Sequence, residues 1–162
     1  GTMGRVAPDA LAQGDVAFGW PLLQRVSELD VGQAITVRAR WTRNFGNMLQ
    51  KGQSGARGGY WKWEAPNGIV RCLFRDSSGR TKTATSKAAL NDGAWHVIRC
   101  EKNGSGVFMW VDGASQLNVR GPLGSIANSW QLTIGGKGSC DQITVTCDYW
   151  VGDMDYVRIE TS

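Results

Sequence analysis

Between Leu90 and Gly113 the chain reads LNDGAWHVIRCEKNGSGVFMWVDG. Two alternating runs, Ala94 to Lys102 and Val107 to Val111, are joined by Asn103-Gly104-Ser105-Gly106. Asn and Gly supply the positive φ that a tight turn demands, so the segment is expected to be a β-hairpin. Counting back from the turn sets Lys102 opposite Val107, Cys100 opposite Met109 and Ile98 opposite Val111. One face then carries His96, Ile98, Cys100, Met109 and Val111 and is expected to be buried. The other carries Trp95, Arg99, Glu101, Phe108 and Trp110. A slip of one residue would invert every assignment, because side chains alternate with a period of two.

The rest of the chain repeats this grammar. In Ala34 to Arg43, Ile35, Val37, Ala39 and Trp41 alternate with Thr36, Arg38, Arg40 and Thr42, the signature of a half-buried strand. Asn47 to Gln53 reads as a short strand and Ser54 to Gly59 as a glycine-rich loop. A second hairpin is expected over Tyr60 to Ala65 and Ile69 to Arg75, turned by Pro66-Asn67-Gly68; it pairs Trp63 with Cys72 and Trp61 with Phe74. Further strands are expected at Thr81 to Lys87, Gln116 to Val119, Trp130 to Ile134, Ile143 to Thr146 and Tyr149 to Ile159. Val16 to Val26 is apolar but interrupted by Pro21, which suits an edge strand or a covering segment. Ser86 to Leu90 is the one stretch with room for a helical turn. About a dozen strands with turns every 8–12 residues point to an all-β, two-sheet antiparallel sandwich.

With 162 residues, one domain with a proper core is expected. Residues 1–14 read as a tag scar, Gly1-Thr2-Met3-Gly4, followed by a flexible segment, and 15–162 as the folded domain. The 22 glycines suit short strands and tight turns. No apolar run approaches the ~18 residues of a membrane-spanning helix, so no membrane insertion is expected. The formal charge of +4 comes from basic residues interspersed with acidic ones, without a Lys/Arg block. That pattern argues for a mixed solvated surface and against a nucleic-acid partner.

The 4 cysteines allow three pairings. Cys140 and Cys147 bracket a short loop, which favours a local bridge. Cys72 and Cys100 each sit inside an alternating strand, which favours a cross-strand bridge between them. Zinc is the rival reading, but no Cys-x-x-Cys spacing exists and His96 is the sole histidine. Disulfides in turn imply a secreted or cell-surface location.

Asp92-Gly93-Ala94-Trp95-His96 opening one strand, with Val111-Asp112-Gly113 closing the next, resembles the hairpin of laminin G-like domains of the concanavalin A-like jelly-roll class. Gln50-Lys51-Gly52 is similar to a strand such domains carry after their first. Gly152-Asp153-Met154-Asp155-Tyr156-Val157-Arg158-Ile159 is similar to their closing strand. The cysteine-bearing flavour is similar to domains of secreted actinobacterial proteins and of phage tail proteins, so a virion is a further candidate location. The resemblance covers about Ala34 to Glu160. It implies a jelly roll that binds glycans, glycosaminoglycans or proteins, with a structural calcium ion at one rim in some members.

Glycan binding needs aromatic planes ringed by hydrogen-bonding groups. Trp41, Trp61 and Trp63 fall on core faces, and Trp95 and His96 belong to the family motif as packing residues. Trp110 is the best outward candidate. Tyr60, Arg71 and Arg75 share the reverse face of the second hairpin, where Tyr60 opposite Arg75 and Glu64 opposite Arg71 also make plain cross-strand pairs. Trp130, Tyr149 and Trp150 lie near strand ends, where loops carry function, and Trp130 and Trp150 join the candidate set. For calcium, Asp141, Asp148, Asp153 and Asp155 are close in sequence without EF-hand spacing, and Asp153 and Asp155 are the candidate ligands. No cofactor is otherwise required. Asn103-Gly104-Ser105 satisfies a glycosylation sequon and is also a plain turn.

The expected function is therefore a non-catalytic, lectin-like module recognising a glycan or polysaccharide, within a parent multidomain protein. A structural or protein-adhesion module is the second reading. A polysaccharide-cleaving enzyme is the third and weakest, since Asp153-Met154-Asp155 is only a faint echo of a glycosidase carboxylate set and His96 lacks a second histidine.

Overall fold

In the computed structural model, residues 5–6, 34–55, 57–136 and 148–160 are described here. They form two antiparallel sheets packed face to face. The strands are β1 (Arg5–Val6), β2 (Ala34–Trp41), β3 (Asn47–Lys51), β4 (Tyr60–Glu64), β5 (Arg71–Arg75), β6 (Thr81–Thr85), β7 (His96–Asn103), β8 (Gly106–Val111), β9 (Ala114–Ser115), β10 (Val119–Arg120), β11 (Leu132–Ile134) and β12 (Gly152–Glu160). A seven-stranded sheet runs β1-β12-β2-β7-β8-β10, with β9 also on β8, and a five-stranded sheet runs β11-β3-β4-β5-β6. Among the described strands β1 is the one that pairs in parallel, against Asp153 and Met154 of β12, and an isolated bridge between Asn47 and Tyr149 is parallel too; β1 lies in the stretch the sequence reads as loosely held.

Both hairpins have the register counted from their turns. β7 and β8 pair Ile98 with Val111, Cys100 with Met109 and Lys102 with Val107. Asn103 closes the turn by accepting the Ser105 N–H on its own Oδ1 at 2.8 Å. β4 and β5 pair Trp63 with Cys72 and Trp61 with Phe74. Pro66 opens a short 3-10 turn between them, and Asn67 and Gly68 take φ values of 53° and 76°. A side chain at Gly68 would also strike the Asn91 amide at 2.0 Å, so both backbone angle and space demand glycine.

The inward faces of β2 (Ile35, Val37, Ala39, Trp41) and of β7 and β8 (Ile98, Met109) meet those of β3 to β5 (Leu49, Trp61, Trp63, Phe74), all buried. Cys72 and Cys100 are bonded, Cα to Cα 6.5 Å. This is the cross-strand bridge the sequence favours, and it joins the two sheets: Cys72 is on β5 of one sheet and Cys100 on β7 of the other. The bridge crosses the core and pins sheet to sheet.

Three other expectations shift. Ser86 to Leu90 has no helical turn; Ser86 Oγ accepts the Val70 N–H and donates to the Ala88 carbonyl, holding that segment open. The strand expected at Gln116 to Val119 is broken between β9 and β10: the Asn118 side chain takes the Met109 N–H in place of a backbone partner, and Leu117 bridges to Thr85. β11 starts at Leu132 instead of Trp130. Val16 to Val26, Ile143 to Thr146, Asp141, Cys140 and Cys147 lie outside the described residues.

Candidate functional site

The outer face of the seven-stranded sheet is built as rows that cross its strands. One row runs Arg158, Thr36, Arg99, Trp110 and Ser115 on β12, β2, β7, β8 and β9. Beside it run Glu160, Ala34, Glu101 and Phe108, and on the other flank Tyr156, Arg38 and Val97. Alternation forces this arrangement: once Ile35, Val37, Ile98 and Met109 go inward, their neighbours must project outward. Phe108 and Trp110, two apart on β8, stack with ring centroids 6.3 Å apart and planes inclined by 29°. Arg38 and Arg40 lie over the Trp95 ring at 4.4 and 4.9 Å, within cation–π range. Arg38 pairs with Asp155 at 2.7 Å and Arg40 with Asp153 at 2.8 Å. Arg99 reaches Glu160 and Glu101, and Arg158 lies 5.7 Å over Tyr156.

His96 follows Trp95 at the start of β7. The His96 Nδ1 is 2.7 Å from Asp112 and its Nε2 is 3.1 Å from Asp92. Ionised carboxylates only accept, so donation from both ring nitrogens requires the imidazolium. Partial burial works against that charge, but the bonds and charges of Asp112 and Asp92 outweigh it and hold the imidazole above its usual range. Asp112 also accepts the Val97 N–H and Asp92 the Ala94 N–H, so the motif Asp-Gly-x-Trp-His fixes the entry to β7.

A second organised region lies at one end of the five-stranded sheet. Lys51 is 2% exposed and donates to the Asn128 carbonyl at 2.8 Å, the Asn128 Oδ1 at 3.2 Å and the Trp130 carbonyl at 2.6 Å. Burial pushes its ammonium down to about 8. Asp76 is buried and accepts from Ser78, Arg80 and Gly124; against the cost of burial, these bonds hold its carboxyl far below the usual range. Both devices fix loops and leave no lone pair or proton idle for a ligand.

The six binding residues expected from the sequence do not converge. Trp110 lies on the outer face of the seven-stranded sheet, whereas Tyr60, Arg71 and Arg75 lie on the outer face of the five-stranded sheet, on the other side of the sandwich. Tyr60 is 8% exposed beneath Arg75, whose guanidinium is tied to the Ser54 carbonyl, so its ring offers no open plane. Trp130 is half-buried in the loop before β11. Trp150 is 1% exposed and meets Trp41 edge-on at 5.7 Å, so it belongs to the core and not to a binding surface. Two glycines admit it: a Cβ on Gly46 would come within 2.6 Å of the Trp150 backbone, and one on Gly152 within 2.8 Å of its ring. Asp153 and Asp155 are engaged by Arg40 and Arg38, and among the described residues no group of three or more His, Cys, Asp or Glu is placed to hold a metal.

Residues the sequence reading left aside, Arg38, Arg40, Tyr156 and Arg158, share this outer face, with Arg38 and Arg40 over Trp95 and Arg158 in the row of Trp110. The alternation of β2 already put Arg38 and Arg40 on one side; the pairing of β2 with β7 and β12, which brings these residues onto one face, spans too much chain to be counted from a turn.

A family model of the laminin G domain matches residues 39–161. The chain belongs to the laminin G domain family. Domains LG4-5 of the mouse laminin α1 chain superpose on this laminin G domain with a TM-score of 0.67 at 23% identity, over 81% of this chain and 35% of that one. The CBM40 of the Ruminococcus gnavus IT-sialidase, bound to α2,6-sialyllactose, gives a TM-score of 0.63 at 14% identity, over 90% of this chain and 83% of that one. Sex hormone-binding globulin of Rattus norvegicus is 40% identical over 45 residues, which is 28% of this chain and 11% of that protein. The structural likenesses establish the shared sandwich.

Proposed function

We propose that this laminin G domain is a non-catalytic module that binds carbohydrate on the outer face of its seven-stranded sheet, as part of an extracellular or surface-attached protein. The observation that carries the reading is the Phe108–Trp110 stack, directly opposite Glu101 and Arg99 on β7. A sugar ring lays its C–H face on an aromatic plane while its hydroxyls bond charged groups at the rim, and this row supplies both. A preformed sheet costs little ordering entropy on binding. The disulfide between the sheets suits an oxidising compartment. The kinship with a CBM40 and with laminin LG domains supports the class of ligand.

His96 offers no general base, because both ring nitrogens are already engaged. Asp153 and Asp155 are held by arginines, an arrangement that serves recognition better than proton transfer.

A polysaccharide array followed by titration calorimetry tests the proposal. Trp110→Ala is expected to weaken binding at least about tenfold, a loss of about 1.4 kcal/mol, while the unfolding midpoint stays put. Binding that survives Trp110→Ala but fails in Arg71→Ala would move the site to the other sheet. Silence on every glycan, with a protein partner captured, would make this an adhesion module instead.

A further inference from the structure

The chain has a formal charge of +4, yet on β2, β7, β8 and β12 the proposed binding face carries four guanidiniums (Arg38, Arg40, Arg99, Arg158) and four carboxylates (Glu101, Asp153, Asp155, Glu160). Arg120 stands at the far edge of the same face, on β10. Three of the guanidiniums lie in direct ion pairs with these carboxylates. By contrast, the outer face of the five-stranded sheet sets Lys62, Arg71 and Arg75 against the single carboxylate Glu64.

We infer that the seven-stranded face selects an uncharged, hydroxyl-rich polysaccharide and discriminates against sulfated and carboxylated glycans; this rests on that face being the site proposed above. A sugar hydroxyl donates and accepts at once, so it bridges an Arg–carboxylate pair, taking a bond from the guanidinium and giving one to the carboxylate. A sulfate or carboxylate on a glycan only accepts. It gains from Arg99 or Arg38 but meets Glu160 or Asp155 beside the same guanidinium, and each approach sets like charges together. The aromatic pair is equally suited to a neutral ring, whose C–H face needs no counter-charge. Selectivity therefore comes from the carboxylates as much as from the arginines.

Calorimetry on the whole domain with laminarin, galactomannan and arabinoxylan as neutral probes, and heparin, polysialic acid and α2,6-sialyllactose as acidic ones, decides the matter. The expected result is binding of a neutral probe whose Kd changes less than about twofold between about 50 and 500 mM NaCl, since no net charge is screened. Glu160→Gln with Asp155→Asn is expected to weaken that binding about fivefold or more and to raise affinity for heparin. Preferred binding of an acidic probe, lost in Trp110→Ala and weakening about tenfold or more over the same salt range, would overturn the inference and leave the site standing. No binding of either set would overturn both.

Discussion

Cys72 of β5 and Cys100 of β7 join the two sheets through the core, 28 positions apart in sequence. Closing a loop of that size removes chain entropy worth about 3–4 kcal/mol from the unfolded state. The double variant Cys72→Ala/Cys100→Ala is expected to lose that amount in urea unfolding. Because the bond lies wholly inside, the reductant should act on the unfolded chain long before the folded one. A loss under about 1 kcal/mol would mean that packing alone holds the sheets in place.

His96 makes stability depend on pH in a predictable direction. Its folded value is raised above the ordinary 6.5 by Asp112 and Asp92, once the opposing effect of burial is overcome. A raised value means the stabilisation is complete below 6.5 and is lost as pH climbs through the folded value. Asp92, lowered by the Ala94 N–H and by His96, and Asp112, lowered by His96 against its own burial, work the other way. Their contribution is complete above 3.8 and is lost on acidification. Stability should therefore peak between these limits. With 1 histidine in the chain, its imidazole resonance can be followed directly, and Asp112→Asn should shift its midpoint down.

Trp150 and Trp110 should behave as opposites. Truncating the buried Trp150 to alanine leaves a cavity beside Trp41 and is expected to cost about 3–5 kcal/mol. Trp110→Ala is expected to cost less than about 1 kcal/mol, because the indole projects from the outer face. Denaturant midpoints on the two variants check the assignment; comparable losses would mean Trp110 is structural.

Lys51 is the keystone of the loop before β11. Lys51→Met keeps the stem but strands two carbonyls and an amide oxygen that it now satisfies. The expected loss is about 1–3 kcal/mol. Limited proteolysis should then cut first between Ile126 and Gln131, where the released backbone would open.

Local pairing was legible and long-range pairing was not. Asn103-Gly104 and Asn67-Gly68 each set a register from which Cys100–Met109 and Trp63–Cys72 could be counted, and both pairs are found. Alternation also said that Cys72 and Cys100 face inward and favoured the bridge that is found, but it cannot say that the two strands belong to different sheets. Trp150 follows the same rule. Its burial depends on Gly46, more than a hundred residues earlier, and no pattern near Trp150 reports that space. The proposed binding face was half visible: Trp110, Phe108 and Arg99 were placed together by one turn, while Arg38 and Arg158 arrive through strand contacts between distant segments.

β12 contains one irregularity between Met154 and Tyr156. It lets Met154 and Val157, three apart, both reach the core, and the extra residue it accommodates is Asp155, the partner of Arg38. The bulge takes up Asp155 without disturbing the core pairs on either side of it. Deleting Asp155 would leave a regular strand, with Val157 and Ile159 still inward and Tyr156 and Arg158 still outward, but would take from Arg38 its carboxylate. The charge of the outer surface can therefore change here by the gain or loss of one residue while the core pairing stays as it is.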